Sequence, residues 1–341
     1  MLVKKFSYLL NRLKTDDLNY FEEQFLYGHR EILLYFLLKN NINISSKAFL
    51  EGGLEHGWTP DDEFWRVRRR NLTRAPRYVW QRQQNLVDNP GNYQELIGSP
   101  WLYLLKSIGV EKGSRVELPI KNKRINLIVP YHSEGLCLKD IGTQALHYSK
   151  IVDPRESTIC LFWLDFCDPA VRKSYSDLGF QIECAGYNYR HRNSYKIGPQ
   201  RTFFLLRLLK IIAHHRNYIS DDYSTSLWYA ASLGKTVLVS QDEIAKNFTK
   251  QLMDNNQQAK YDFSNSRKAW VESNYPETLS SPASGKLINE LAWKALGGNY
   301  LLKPEQLFDL KWRMSEMIPD HMEHFSTEVE NISAQIKILR I

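Results

Sequence analysis

Little in this 341-residue sequence points to a membrane span, a metal or a disulfide framework. A bilayer-spanning helix needs ~18–20 uninterrupted apolar residues. The densest runs here, 32–38 and 202–213, are too short or are broken by Arg207 and Lys210. The opening MLVKKFSYLLNRLKTDD lacks the long apolar region and small-residue cleavage site of a signal peptide. Four cysteines (Cys137, Cys160, Cys167, Cys184) are too few for a disulfide scaffold and form no CxxC pair, so a structural zinc site is not expected. Also missing are a P-loop, GxGxxG, HExxH, a nucleophile elbow and a DxD pair; Asp61-Asp62 and Asp221-Asp222 are adjacent and lack that spacing. No repeat or low-complexity tract is visible. These absences lead to the expectation of a reduced cytoplasmic protein with no metal in its site.

What is present reads as ordinary globular composition, 43% hydrophobic and 24% charged, over a length that suits two domains. Aromatics reach 13%, with 9 Trp and 19 Tyr, which suits clefts that cradle polar ligands. The net charge of +7 is unevenly spread. Residues 64–87 hold seven arginines (Arg66, Arg68, Arg69, Arg70, Arg74, Arg77, Arg82) and no acid, and 184–220 hold seven more Arg or Lys, again with no acid. The two stretches together carry +14, leaving −7 for the rest. Focused positive charge speaks of anionic partners. Solvated faces are the plainer alternative.

Along the chain, residues 1–40 show helical apolar spacing, and KAFLEGGLEHGW, 77–87 and 93–105 read as strands, the last running into a helix begun by Pro100. The charged, turn-rich 110–124 reads as a linker. After it the pattern is regular: strands at 125–133, 157–166, 180–186, 218–220 and 235–240 alternate with helices at 140–152, 168–179, 201–215 and 222–234. Such alternation means βαβ units and a parallel sheet. Residues 241–290 look loop-rich, and 300–341 return to helix.

The most informative stretch is YISDDYSTSLWYAASLGKTVLVS. It puts Ser224, Thr225 and Ser226 in the first turn of a helix, where hydroxyls, free N–H groups and the helix dipole favour an anion. An ordinary N-cap would use the same residues. In PYHSEG, His132 and Ser133 follow a buried strand at the edge where open α/β sheets bind ligands. WLDFCDP offers Asp165, with Asp168-Pro169 as a helix start. LEHGW offers Glu51 upstream with Glu55 and His56, a base or nucleophile set in a Gly-flanked loop, or simply a polar turn. YNYRHRNSYK brings Arg190 and Arg192, suited to a phosphate or a sugar carboxylate by bidentate hydrogen bonds, or to a solvated loop.

The element YISDD…STS…YAASLGKTVLV resembles the donor-phosphate element of GT-B glycosyltransferases, and LEHGW, LIGSPWLYLL and LIVPYHSEG resemble segments of proteins from bacterial capsule and lipopolysaccharide gene clusters. The resemblance implies an α/β fold of two Rossmann-like lobes facing a cleft, with helical N- and C-terminal segments. It implies an acceptor-side lobe at 1–120, a nucleotide-sugar lobe at 121–300, and C-terminal helices at 301–341 that return to the first lobe. The implied activity is metal-independent transfer of a sugar from a CMP- or UDP-linked donor to a surface-polysaccharide or lipid-linked glycan, with no other cofactor. His132, Ser133, Asp165, Arg190, Arg192, Ser224, Thr225 and Ser226 would hold the donor; His56, Glu55 and Glu51 would carry the chemistry. Peripheral contact with the inner face of an anionic membrane is compatible with the charge, and no nucleic-acid partner is expected. A non-catalytic scaffold of a polysaccharide assembly complex and a CDP-polyol phosphotransferase are the alternatives.

Overall fold

The computed structural model describes residues 26–55, 57–58, 76–80, 94–119, 123–130, 141–186, 203–221, 223–239, 271, 285–315, 318 and 320–340. His56, His132, Ser133, Arg190 and Arg192 lie outside the described residues, as do the helical reading of 1–25 and most of the first arginine stretch. The chain divides into two compact units. One comprises Met1–Gly109, Tyr189–Phe203 and Lys294–Glu330; the other comprises Val110–Asn188, Phe204–Trp293 and Asn331–Ile341.

In the first unit, α1 (His29–Lys39) carries the unbroken run Ile32–Leu37, and all six of these side chains are buried. A helix apolar all round is a core element rather than an amphipathic one. Its buried Arg30 is fully engaged, donating to Glu31 Oε1 and Ala48 O at 2.7 Å each and to Ser46 O. Those bonds offset the cost of burying the charge and tie α1 to β1 (Ala48–Leu50). β1 pairs antiparallel with β11 (Trp312–Met314), while β2 (Gly53–Leu54), β3 (Arg77–Val79) and β4 (Gln94–Leu96) form a parallel sheet in that order. α2 (Pro100–Ser107) starts as its sequence requires, with Ser99 as N-cap accepting from the Trp101 N–H and Pro100 at the first helical position. Its Tyr103 ring meets Phe36 of α1 edge-on, centroids 4.9 Å apart. The Gly98 turn is forced: φ is +72°, and a Cβ there would lie 2.8 Å from Gly297 O. Gly297 itself, at φ +77°, would place a Cβ 1.7 Å from Trp80 O.

The second unit is built on five parallel strands: β6 (Asn126–Val129), β7 (Ser157–Cys160), β8 (Gln181–Glu183), β9 (Asn217–Ser220) and β10 (Thr236–Val239). Their order across the sheet is β10-β9-β6-β7-β8, and every pair is parallel. Counted from β6, this is the 3-2-1-4-5 order of the Rossmann fold. Alternation along the strands shows both faces covered. Ile128, Ile159 and Ile219 pack with Ala145 and Tyr148 of α3 (Ile141–Ile151) and with Val171 and Tyr175 of α5 (Pro169–Ser176). Their neighbours point the other way. The Tyr218 hydroxyl donates to Ser226 in α7 (Thr225–Ser232), and Thr158 meets His215, just beyond α6 (Phe204–Ala213). The left-handed glycines Gly179 (φ +98°) and Gly234 (φ +70°) stop the segments after α5 and α7.

Three expectations are corrected: to begin with, the helical reading of 300–341 is interrupted by β11 and ends in a strand. The 110–124 stretch is not a plain linker: β5 (Ser114–Glu117) buries Val116 and pairs antiparallel with β12 (Lys337–Arg340), which follows α8 (Met322–Gln335). Residues 163–166 do not extend the strand at 157; they form a short helix, α4 (Trp163–Cys167). No helix among the described residues is long and apolar enough to cross a membrane.

Candidate functional site

In an open α/β sheet, ligands bind outside the carboxyl ends of the strands where the strand order reverses. Here that point lies between β6 and β9. The two strands end in register, Val129 opposite Ser220, so Pro130 and Asp221 leave the sheet side by side. His132 and Ser133 follow Pro130 in sequence by two and three residues.

After β9 comes α7. Ser224 is its N-cap, extended at φ −76° and ψ 162°, and its Oγ accepts from the Leu227 N–H at 3.4 Å. Ser224 Oγ lies 2.9 Å from Ser226 Oγ, and the Tyr218 hydroxyl donates to Ser226 Oγ at 2.7 Å. Burial, first of all, raises the Tyr218 hydroxyl above its ordinary range, so it stays a donor. Tyr218 is hydrogen-bonded to Ser224 as well, so the three hydroxyls form one cluster at the helix start. Added to the first-turn N–H groups and the dipole of an eight-residue helix, this gives an anion cradle.

Beside it is a polar network that sequence reasoning did not single out. Asp221 Oδ2 accepts from the Tyr148 hydroxyl at 2.5 Å and from Gln144 Nε2 at 3.3 Å. Gln144 Oε1 in turn accepts from the Tyr175 hydroxyl at 2.7 Å. Gln144 and Tyr148 are four apart on α3 and share one face. The Tyr148 and Tyr175 rings are fully buried. Burial, then the charge of Asp221, pushes both hydroxyls well above the usual tyrosine range. The charge of Asp165, in α4, acts on Tyr175 in the same sense, which brings that residue into the electrostatic neighbourhood of Asp221. Asp168 caps α5, accepting from the Ala170 N–H at 2.8 Å.

Two thiols along this edge, Cys160 and Cys184, are not activated. Burial pushes Cys160 up to about 12, and Cys184 is raised for the same first cause. The described charges of the second basic stretch do not share one wall. Arg207 donates to Ala185 O at 2.6 Å beyond the carboxyl end of β8, whereas the Arg216 N–H bonds to Ile125 O at the amino end of β6.

In the first unit the two acids have separate partners. Glu55 is buried; its Oε2 accepts from the Trp80 backbone N–H at 2.7 Å and its carbonyl from the Trp80 ring N–H at 2.9 Å. Glu51 pairs with Arg313 of β11, and that hydrogen bond, ahead of the opposing effect of burial, lowers its carboxyl below the usual range. Among the described residues, no group of three or more His, Cys, Asp or Glu side chains could hold a metal ion.

No family model and no curated protein matches the chain. Among solved structures it is similar to the UDP-GlcNAc 2-epimerase of Neisseria meningitidis bound to UDP-GlcNAc, with 18% identity, 62% of this chain and 56% of that chain covered, and a TM-score of 0.25. It is also similar to the pneumococcal O-GlcNAc transferase GtfA in complex with UDP and GlcNAc, with 10% identity, 82% and 52% covered, and a TM-score of 0.30. The chain thus spans about half the length of either structure. The α/β assignment rests on the strand order and the parallel pairings themselves.

Proposed function

We propose that the chain is a glycosyltransferase that takes a sugar from a CMP- or UDP-linked donor and passes it to a surface-polysaccharide or lipid-linked glycan. The observation that carries this reading is the anion cradle of Ser224, Thr225 and Ser226 at the point where the 3-2-1-4-5 sheet reverses. A nucleotide's phosphate placed there meets the α7 N-terminus, and the same donors take up the negative charge that develops on the leaving phosphate. In this reading His132, Ser133, Asp165, Arg190 and Arg192 are further donor-binding residues. No metal is required for that charge stabilisation.

On the acceptor side, His56 takes the proton from the attacking hydroxyl. Glu55 is committed to the Trp80 backbone, and Glu51 holds its charge through Arg313. A non-catalytic nucleotide-binding scaffold is the second reading, and the observation favouring it is that structural bond of Glu55.

Thermal unfolding in the presence of CMP, CDP, UDP, GDP and ADP, each near millimolar, tests the reading. A ligand that binds only the folded state raises the melting temperature by mass action. Selective stabilisation by one base series is expected, lost in the doubly substituted Ser224→Ala, Ser226→Ala protein. Stabilisation without nucleotide release from any donor–acceptor pair favours the scaffold. No stabilisation by any nucleotide overturns both.

A further inference from the structure

The Asp221 network has no part in the function proposed above, yet it stands at the same sheet edge as the cradle. Asp221 follows Ser220, whose partners are Val129 and Val239, so it is the first residue past the sheet at the point of strand reversal. It is half-buried; of the two residues that donate to it, Tyr148 is fully buried, and the half-buried Gln144 is held in turn by the fully buried Tyr175. Every hydrogen bond in the set points one way. Tyr175 donates to the Gln144 carbonyl, which leaves the Gln144 amide N–H groups for Tyr148 and Asp221, and Tyr148 donates to Asp221. Hydrogen bonds donated to a carboxylate favour its charged form. Asp165 adds a second negative charge that acts on Tyr175.

A fixed carboxylate next to an anion cradle repels a bare phosphate. It is useful there only if the ligand carries O–H or N–H donors beside its phosphate, since an ionised carboxyl group only accepts. We propose that Asp221 is a ligand-contacting residue of this site, and that Tyr148, Gln144 and Tyr175 are positioning residues that keep its carboxylate ionised and aimed. The proposal rests on the nucleotide-binding reading for the identity of the ligand, but not for the state of the carboxylate.

Two measurements separate these parts. The first needs no ligand: the Asp221 carboxyl is titrated by carbon NMR in the full chain, with Asp221→Asn to assign the signal. Tyr148→Phe keeps the ring and removes the donor, and it raises the Asp221 midpoint by about one pH unit or more, roughly a tenfold gain in proton affinity. Tyr175→Phe, which only frees the Gln144 carbonyl, raises it less. An unchanged midpoint in folded Tyr148→Phe overturns the positioning role.

The second compares a nucleoside diphosphate with inorganic pyrophosphate. In Asp221→Asn the nucleotide binds about tenfold or more weakly, while pyrophosphate binds equally or more tightly because a like charge has gone. Parallel loss of both ligands overturns the contact and marks Asp221 as structural. A wild-type protein that binds pyrophosphate and no nucleotide sinks the transferase reading, and the NMR titration still decides whether the relay holds the carboxylate.

Discussion

Lys235 immediately precedes β10, is 2% exposed, and its ammonium donates to Ala213 O at 3.2 Å. Burial depresses it from 10.5 to about 7; the charge of Glu117 works against that shift and the charge of Arg115 works with it. Between about pH 7 and pH 10.5 the unfolded chain therefore holds a proton that the folded chain does not. Stability rises with pH across that window, is complete above it, and is lost as pH falls to about 7. A difference of about 3.5 between the two states, at about 1.36 kcal/mol each, sets the cost of the buried ammonium near 5 kcal/mol. Lys235→Met removes that cost and also loses the bond to Ala213 O, worth about 1 kcal/mol. The carbonyl is not orphaned, because the Leu118 N–H also donates to it at 2.9 Å. Lys235→Met is thus expected to be more stable than the wild type by about 2–4 kcal/mol at pH 6, with the gain vanishing near pH 10. Urea unfolding at pH 6, 7.5 and 9.5 reads this directly. A variant less stable at pH 6, or a difference independent of pH, refutes the reasoning.

Gly297→Ala sets a Cβ against Trp80 O in a left-handed backbone, so it is expected to destabilise the first unit by about 2–4 kcal/mol in denaturant unfolding, whereas Gly113→Ala, with open space at its Cβ, costs about 1 kcal/mol. His215 is held neutral: its Nδ1 donates to Ile211 O at 2.7 Å and its Nε2 accepts from the Thr158 hydroxyl at 3.0 Å, with burial pushing it down to about 4. The unfolded chain is protonated between about pH 4 and 6.5 and the folded chain is not, so about 3 kcal/mol of stability is lost as pH falls through that window. His215→Gln is expected to flatten this slope in unfolding curves taken from pH 4 to 7.

The second unit was largely legible in the sequence because its signals are local. Leu127-Ile128 and Thr158-Ile159 form short buried runs, and Asp168-Pro169 and Ser224 mark helix starts by their own chemistry. β5 was not legible: its buried Ser114 and Val116 alternate with Arg115 and Glu117, and its partner β12 comes 220 residues later. Trp163–Cys167 misled because a buried strand and a short helix give the same apolar run. Asp221 was missed for a related reason. Its partners Tyr148 and Gln144 are 73 and 77 residues earlier, and a polar contact over that distance leaves no periodicity to read. Glu55 illustrates the converse: a motif that offered chemistry proved to hold the Trp80 backbone.

The central claim is the location of the nucleotide, and photoaffinity labelling with an azido-substituted uridine or cytidine nucleotide, followed by peptide mapping, tests it most directly. The label is expected in peptides spanning 126–144 or 217–232, competed away by unmodified nucleotide and lost in the Ser224→Ala, Ser226→Ala protein. Saturable labelling confined to 48–58 or 94–107, or none that nucleotide competes away, would contradict it.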